Sequence, residues 1–324
     1  MNLYIPSIKY EVLIRCFTYN QAPFILDALD SFSRQNTSFP FVCLVVDDCS
    51  TDGEQNIIRK FICDNCLQSV LIEIEIDLAK IVIAPHLKNK NCVFAFYFLK
   101  ENQYETGNKH VLIKPWRDSV KYEAICEGDD YWTDINKLQR QYDFLESHSD
   151  YSMIAENALV LNSITNQSYL FNKGKSGDIN SIEQLLRGRK FPTAGVLLRE
   201  NQLIGLYDKD CPKHDTMIWC WMLSKGRLYF DNVVSSIYRR GLQGVTENTD
   251  FYKFGMNMEK WDLAIMRMFN VRKSFIYGTI ARAYKYSAVR AFLKLQFLSS
   301  FKSLCKLVCY SFLTLIYSFF RFIV

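Results

Sequence analysis

The sequence predicts an α/β fold with a doubly wound, mostly parallel sheet flanked by helices, and the N-terminal third carries this prediction. The segment EVLIRCF, residues 11–17, is apolar enough for a buried strand, and residues 23–32 follow it at helical spacing after Pro23. The continuous apolar run FVCLVVDD, residues 41–48, is typical of a parallel strand covered on both faces. A second helical pattern through residues 57–62 completes the order strand, helix, strand, helix.

The elements that follow are less regular. VLIEIEI, residues 70–76, and KIVIA, residues 80–84, have strand-like patterns, but the sequence does not place them in the sheet. KYEAICEGDDYW, residues 121–132, predicts a strand that ends in acids, and Asp134 is a suitable N-cap for the helix after it. Because ligands of such sheets bind beyond the carboxyl ends of the strands, we expect a nucleotide at the end of residues 41–48.

Composition describes a folded chain in a reducing compartment. The 324 residues are 49% hydrophobic and 15% aromatic, with 13 Gly and 7 Pro, so a disordered tail is not expected. The 11 cysteines are scattered and odd in number, and the N-terminus lacks a basic region followed by an apolar core. These features predict reduced thiols in the cytoplasm, and the pairs Cys63/Cys66 and Cys305/Cys309 are interpreted as structural or incidental.

Charge is divided unevenly along the chain. The net charge is +5, yet residues 263–324 contain ten Lys or Arg and no Asp or Glu. The remaining 29 basic and 34 acidic residues give residues 1–262 a net charge of −5. Nucleic acid is therefore not expected as a partner of the main domain, whereas a negatively charged surface suits the tail.

The segment ICEGDDYWTD brings three carboxylates, Glu127, Asp129 and Asp130, within four positions directly after an apolar strand. Carboxylates this close repel one another, and burying them unpaired is costly, so a positive group or a strong hydrogen-bonding frame should compensate them. A divalent metal ion is one candidate. The alternative is a solvated acidic turn followed by a helix N-cap.

Four further motifs stand out: FTYNQAPFILDALDSF, LVVDDCSTD, ENQYETG and CEGDDYWTD followed by KLQRQYDFLE. Together they resemble the family 2 inverting glycosyltransferases of the GT-A fold, in particular the bacterial branch that makes cell-surface polysaccharides. The resemblance is strong over residues 11–150 and traceable to about residue 246. It implies a hexosyltransferase-type enzyme that moves a sugar from a nucleotide-sugar, UDP-sugar above all, to a saccharide or lipid-linked acceptor.

The resemblance implies a divalent cofactor, Mn²⁺ or Mg²⁺, that neutralises the donor pyrophosphate. Glu127-Gly128-Asp129 lies where the family has its DxD motif, which makes Asp129 the direct metal ligand and Asp130 a supporting residue. Glu127 replaces the first Asp of the motif here, and it is expected near the ribose or just outside the residues that bind the metal directly. Gly128, without a Cβ, lets the backbone approach the sugar.

The nucleotide is expected on three other loops. Asp47 is similar to the family residue that accepts a hydrogen bond from the base, and Thr18 and Asn20 lie on the first loop of the same crevice. Asn102 and Gly107 match the loop before the acidic strand. A structural alternative is that the acidic and hydroxyl residues after Asp47 simply cap the next helix. These residues are Asp48, Ser50 and Asp52.

An inverting transferase also needs a base for the acceptor hydroxyl, and Asp215 at the start of a predicted helix matches the family layout. The alternative is that Asp215 only caps this helix and that His214 lies at the surface. Arg239 or Arg240 could meet the diphosphate, or both could belong to a solvated basic turn. Residues 193–195 are expected near the sugar.

These observations predict a transferase domain over residues 1–262, with a nucleotide-sugar half to about residue 150 and an acceptor half beyond it. Two other classes remain open: a metal-dependent nucleotidyltransferase, which would release pyrophosphate from a nucleoside triphosphate, and an inactive nucleotide-sugar-binding module. The oligomeric state is not predicted.

The tail, residues 263–324, is predicted to be a basic amphipathic helical extension. Its expected apolar face contains Ala281, Tyr284, Ala288, Ala291 and Leu295. The apolar run 307–320 is shorter than the roughly 20 residues that cross a bilayer, so we expect a helix in the membrane surface. The enzyme would then be peripheral to the inner face of the cell membrane. The alternative is a tail that packs on the core or forms an oligomer interface.

Overall fold

The structure is a computed structural model, and it divides the chain into two compact units. It describes residues 9–104, 106, 108–188, 190–203, 205–206, 214–241 and 250–319. The first, here called the sheet unit, comprises Met1–Asp178, Lys190–Ile204 and Lys225–Arg240. The second, the helical unit, comprises Ile179–Arg189, Gly205–Ser224 and Gly241–Val324. The domain division at residue 262 stays a prediction.

The strands of the described residues form one mixed sheet. They are β1 Val12–Thr18, β2 Phe41–Asp47, β3 Ile72–Glu75, β4 Ala79–Pro85, β5 Cys92–Leu99, β6 Tyr122–Ile125, β7 Tyr131–Trp132, β8 Tyr151–Asn162, β9 Ser168–Leu170, β10 Gly177–Ile179, β11 Val196–Arg199 and β12 Arg227–Arg240. The order is β10-β12-β8-β11-β6-β1-β2-β5-β4-β3, with β7 beside β12 and β9 beside β8. The four central strands β6, β1, β2 and β5 are parallel.

The helices are α1 Ile25–Ser33, α2 Glu54–Asn65, α3 Asn108–Arg117, α4 Lys137–Ser147, α5 Ile182–Leu186, α6 Glu200–Leu203, α7 Asp215–Leu223, α8 Phe251–Met268, α9 Lys273–Leu293 and α10 Phe297–Phe319. In the sheet unit, α1, α2 and α4 cover one face of the sheet, and α3 covers the other. Alternate residues of β2 enter the two cores, which explains its continuous apolar sequence: Phe41, Cys43 and Val45 enter one core. The predicted α/β class is confirmed.

The two unplaced segments, 70–76 and 80–84, form the antiparallel edge of the sheet. β3 pairs with β4, and β4 pairs with β5, both in antiparallel register. The alternation of isoleucine and glutamate in β3 suits an edge strand, because Ile72 and Ile74 pack on the core while the glutamates face outward. Antiparallel strands also flank the other side of the parallel centre, since β11 runs opposite to both β6 and β8.

In the helical unit α9 packs against α8 and α10. The predicted helix in the tail is present, but its expected apolar face lies inside the unit, where Ala281, Tyr284, Ala288 and Ala291 are buried. Leu295 does not belong to that face, because α9 ends at Leu293. Leu295 has a positive φ of 59° and is exposed.

Among the residues that the structure describes, none of the helices is both long enough and apolar enough to cross a membrane.

Candidate functional site

Three loops meet at the carboxyl edge of the parallel strands. Thr18, the last residue of β1, pairs with Asp47, the last residue of β2, and Arg15 pairs with Ile125 at the end of β6. The acidic loop then continues beside β1, since the backbone N–H of Gly128 donates to the carbonyl oxygen of Phe17 at 3.2 Å. Parallel strands thus gather residues distant in sequence at one edge, as the sequence predicts.

Glu54, a residue that the sequence analysis did not single out, joins the first two loops. Its fully buried carboxylate accepts hydrogen bonds from the Thr18 hydroxyl, from the backbone N–H of Gln21 at 2.8 Å and from the Ser50 hydroxyl at 2.8 Å. Burial raises the pKa of Glu54, and these hydrogen bonds oppose that rise. In the sequence, the position of Glu54 after Gly53 indicates only that a helix starts there, and Glu54 is indeed the first residue of α2.

Asn20 ties the same two loops from the other side. Its backbone N–H donates to the Ser50 hydroxyl at 2.9 Å, and its side-chain oxygen accepts from the backbone N–H of Thr51 at 2.7 Å. Asn20 has a φ of 54°, a left-handed conformation that asparagine tolerates better than most residues. Thr18 and Asn20 therefore shape the crevice, and their direct contact with a nucleotide stays a prediction.

Asp47 is buried and offers one uncommitted acceptor. Its Oδ2 atom accepts from the side-chain amide of Gln55 at 2.5 Å and from the backbone N–H of Ser50 at 3.2 Å. No donor in the described part of the chain reaches its buried Oδ1 atom. Burial raises the pKa of Asp47, although the hydrogen bonds from Ser50 and Gln55 oppose the rise. A ligand N–H could satisfy this oxygen.

Asp48 does not cap the next helix. Its carboxylate accepts from the backbone N–H of Gln103 at 2.6 Å and pairs with Lys109 Nζ at 2.9 Å, while the Asn102 amide donates to its carbonyl oxygen at 3.0 Å. Asn102 thus joins its own loop to the second loop.

Asp52 is not the N-cap of α2 either, because that position is Gly53. The Asp52 carboxylate still supports the start of the helix by accepting from the backbone N–H of Glu54, the first residue of α2, at 3.1 Å. Gly107 lies outside the described residues, so its match to the family loop stays a prediction.

The acidic loop is fixed by β12. The backbone N–H of Arg239 donates to Asp130 Oδ1 at 2.9 Å, and its guanidinium donates to the carbonyl oxygen of Asp129 at 2.9 Å. The same guanidinium pairs with Asp27 and lies 4.5 Å from the Tyr131 ring centroid. Asp130 therefore joins the acidic loop to β12, and its supporting role at a metal stays a prediction. Arg239 holds the acidic loop in place through these contacts, and its contact with a diphosphate stays a prediction.

Gly128 lies against the first loop. A Cβ at this position would come within 2.8 Å of Thr18 Cβ, which is closer than real side-chain carbons approach. The absence of a Cβ therefore lets the acidic loop close on β1.

Asp129 and Glu127 are half-buried. Within the described residues no other residue donates a hydrogen bond to the Asp129 carboxylate; burial raises its pKa, and its own backbone N–H and Arg239 oppose the rise. Glu127 lies 3.7 Å from the guanidinium of Arg15. The described residues contain no group of three or more His, Cys, Asp or Glu that could hold a metal alone. The site fits a hard ion that takes one or two carboxylates and completes its shell with phosphate and water.

An ionic network lies directly beneath this loop. Glu123, on β6, is fully buried between Arg15, at 2.6 Å, and Arg117, at 2.7 Å. Burial alone would raise the pKa of Glu123, but Arg117 and Arg15 lower it to about 2. Glu123 therefore stays ionised, and its ion pairs with Arg15 and Arg117 hold β6 in place.

Asp215 is the first residue of α7 in the helical unit, and the residues just before His214 lie outside the described ranges. His214 is half-buried, not a surface residue; its ring stacks on Trp261 with centroids 4.2 Å apart, and burial lowers its pKa to about 4. The role of Asp215 as the base stays a prediction.

Residues 193–195 form a buried turn before β11. The Trp132 indole N–H donates to the carbonyl oxygen of Ala194 at 2.8 Å, and the Gln141 amide donates to that of Gly195 at 2.7 Å. These contacts stabilise the turn, and its proximity to a sugar stays a prediction. Arg240 is exposed on β12, with its guanidinium 5.3 Å from the Tyr238 ring centroid.

Comparison with known proteins agrees with this geometry. Residues 16–70, which contain the first two loops, match the family described as Glycosyl transferase family 2. Uncharacterized proteins of Mycobacterium bovis and Mycobacterium tuberculosis are 30% identical over 135 residues, or 41% of this chain. That match spans 31% of the length of these relatives.

Two solved structures share the fold. S. aureus TarS 1-349 in complex with UDP has a TM-score of 0.55 at 16% identity, covering 87% of this chain and 74% of that one. Mannosyltransferase PcManGT from Pyrobaculum calidifontis, in complex with GDP-Man and Mn²⁺, has a TM-score of 0.52 at 13% identity, covering 95% and 88%. The sheet with its flanking helices is therefore a GT-A glycosyltransferase fold.

Proposed function

We propose that the chain is an inverting glycosyltransferase that moves a hexose from a nucleotide-sugar, preferably a UDP-sugar, to a saccharide or lipid-linked acceptor. The acceptor would belong to the synthesis of a surface polysaccharide. The family 2 match over the first two loops supports sugar transfer, and the UDP and GDP-Man bound by the two structural neighbours support a nucleotide-sugar donor.

The observation that carries this proposal is the Oδ1 atom of Asp47, which no donor among the described residues reaches. A buried acceptor without a donor costs free energy, about 1–3 kcal/mol, so such atoms in a native site call for a partner. Asp47 lies at the carboxyl end of a central parallel strand, where doubly wound sheets bind nucleotides. A ring N–H of the nucleotide base would complete its hydrogen bonding.

Asp129, with Glu127 beside it, would hold Mn²⁺ or Mg²⁺ through an otherwise uncommitted carboxylate. Such an ion, when bound, neutralises negative charge on a leaving diphosphate. Asp130 and Arg239 keep the Asp129 backbone in position, and Glu54 keeps the first two loops together. Asp215 would take the proton of the acceptor hydroxyl as that oxygen attacks the anomeric carbon from the face opposite the diphosphate.

Turnover of a donor panel tests the proposal. The full chain is incubated with UDP-, GDP- and dTDP-sugars, with Mn²⁺, with Mg²⁺ or with a chelator, and released nucleoside diphosphate is measured. We expect one donor to be hydrolysed or transferred only with metal, and we expect the Asp129→Asn variant to lose this activity. Asp64→Asn, the same change at an exposed carboxylate of α2, is the matched control and should keep it.

Two outcomes would overturn the proposal. Release of pyrophosphate from a nucleoside triphosphate, without use of any nucleotide-sugar, would identify a nucleotidyltransferase. Nucleotide-sugar binding without turnover, with every acceptor class supplied, would identify a binding module. Retention of the donor's anomeric configuration in the product, read by NMR, would contradict the inverting mechanism but not sugar transfer itself.

A further inference from the structure

Helix α10 exposes large apolar side chains and buries polar ones. A helix that packs on a soluble protein normally buries its apolar stripe and exposes polar residues. In α10 the buried side chains include Ser300, Ser303 and Tyr310. The exposed stripe consists of large apolar residues, each 47–69% exposed, at helical spacing: Phe297, Phe301, Leu304, Val308, Phe312 and Leu315. We call this stripe the α10 face.

Specific hydrogen bonds fix this orientation. The Ser300 hydroxyl donates to the carbonyl oxygen of Ala288 on α9 at 3.0 Å. The Tyr310 hydroxyl donates to Glu259 on α8 at 2.6 Å, and Lys306 Nζ pairs with the same carboxylate at 3.2 Å. Rotating α10 to bury its apolar stripe would break these contacts and expose or strand the Glu259 carboxylate, so the outward apolar face is built into the packing.

The turn between α9 and α10 extends the apolar surface. Exposed apolar side chains surround it, and we call this group the hairpin tip: Tyr286, Val289, Phe292, Leu293, Leu295 and Leu298. Exposed cations lie along the same two helices: Arg282, Lys285, Arg290 and Lys302. The chain contains no acidic residue from 263 onward. Exposed apolar side chains on successive turns of a helix are typical of a contact surface, and the charged residues of α9 and α10 are all positive.

We propose that the α10 face and the hairpin tip rest in the surface of an anionic lipid bilayer. The apolar side chains would enter the boundary between headgroups and acyl chains, while the lysines and arginines meet lipid phosphates. The polar inner side of α10 stays bonded to α8 and α9, which describes a helix lying in the interface. Membrane attachment of this kind is independent of the proposed sugar transfer.

A second copy of the chain fits this surface less well. Two copies that pair through the same patch place each patch against itself, so its cations would face cations with no acid on α9 or α10 to separate them. An anionic bilayer supplies both the apolar phase and the opposite charge. Charge complementarity therefore selects the lipid surface.

Vesicle sedimentation of the full chain tests the inference. We expect binding to phosphatidylcholine vesicles that contain about one third phosphatidylglycerol, and weaker binding at high salt or to pure phosphatidylcholine. Combined Phe301→Gln, Val308→Gln and Phe312→Gln should weaken binding at least about tenfold. The matched control changes three similarly exposed residues of the sheet unit, Leu87, Val111 and Ile164, to Gln and should bind like the wild type.

Thiol protection in the wild-type chain gives a second test that needs no variant. Cys305 and Cys309 are exposed beside the α10 face, and Cys63 is exposed on α2. Anionic vesicles should slow alkylation of Cys305 and Cys309 by a water-soluble maleimide about tenfold and leave Cys63 unchanged, as read by peptide mass spectrometry.

Equal alkylation rates with and without vesicles would overturn the inference. So would failure of the wild type to bind anionic vesicles at low salt. Sedimentation velocity gives the remaining outcome: a dimer that the triple variant abolishes, with no vesicle binding, would assign the surface to a second copy instead.

Discussion

Glu123 of the sheet unit and two acids of the helical unit, the buried Asp262 and the half-buried Glu259, are stabilised in different ways. In the sheet unit, Glu123 lies between the guanidinium groups of Arg15 and Arg117. In the helical unit, Asp262 accepts a hydrogen bond from the Thr279 hydroxyl at 2.6 Å. Glu259 accepts hydrogen bonds from the hydroxyls of Tyr284 and Tyr310 and pairs with the partly exposed Lys306.

The difference indicates what each interior supports. The charges paired around Glu123 lie beneath the strand-end loops of the sheet unit, where we propose that a charged ligand binds. Hydroxyls inside the helical unit are the consequence of an α10 whose apolar side faces outward. The contrast predicts that the place of Glu123 depends on full charges, whereas Asp262 and Glu259 depend on hydrogen bonds that neutral groups can also make.

The largest expected effect concerns Asp215, which we propose is the base that takes the proton of the acceptor hydroxyl. Asp215→Asn should lower sugar transfer by roughly 10²–10⁴-fold, because the acceptor hydroxyl loses its base. Donor affinity and the free energy of unfolding should change little, because the change keeps the shape of the side chain and the N-cap of α7 is His214. Near-normal turnover would move the role elsewhere, with Glu127, Asp130 and His214 as the next candidates.

Neutralising these acids tests the contrast directly. Glu123→Gln removes the fully buried acid that contacts both guanidinium groups and leaves them only the more distant carboxylates of Glu127, 3.7 Å from Arg15, and Glu200, 3.6 Å from Arg117; it should lower the free energy of unfolding by about 3–5 kcal/mol. Glu259→Gln keeps an acceptor oxygen for one tyrosine hydroxyl and places an NH2 group beside the other, to whose oxygen it can donate, so it should cost only about 1 kcal/mol. Urea unfolding of both variants measures the difference; equal costs would remove the distinction between the two interiors.

The pH dependence of Asp262 gives a smaller effect. Burial raises the pKa of Asp262 to about 6, so between about pH 4 and pH 6 the folded state binds a proton that the unfolded state has lost. Stability therefore falls as pH rises through this window and stays low above it. Asp262→Asn removes this loss and should raise the free energy of unfolding at neutral pH by up to about 3 kcal/mol.

Urea midpoints of the wild type and Asp262→Asn at about pH 4.5 and about pH 7.5 check this sign. The variant's advantage should be larger at the higher pH. An advantage that is equal at both values would show that Asp262 does not titrate in the window.

The local pattern predicted the centre of the sheet well, because a strand such as 41–48 is covered on both faces and reads as continuous apolar sequence. It placed the acidic loop correctly for the same reason, since the loop directly follows a buried strand. The supporting residues could not be predicted: Glu54 meets Thr18 from 36 positions away, and Arg239 meets Asp130 from 109 positions away. Such long-range pairs leave no periodic signal.

The C-terminal tail shows a second limit of prediction from the sequence. Because α10 has apolar residues at most positions, its pattern does not determine which side is buried. Its rotation is set by polar groups, Ser300 and Tyr310, that find partners on α9 and α8. The sequence therefore predicted the apolar face of α9, whose Ala281, Tyr284, Ala288 and Ala291 are buried, but not which side of α10 is buried.

Calorimetric titration of UDP and GDP into the chain, with and without Mn²⁺, tests most directly that the strand-end loops of the sheet unit bind a metal-nucleotide complex. We expect Mn²⁺ to strengthen the affinity of one nucleotide at least about tenfold in the wild type and to have no effect in Asp129→Asn. Asp47→Ala should weaken that nucleotide with and without metal alike. An Asp129→Asn variant that keeps the wild-type dependence on Mn²⁺ would contradict the account.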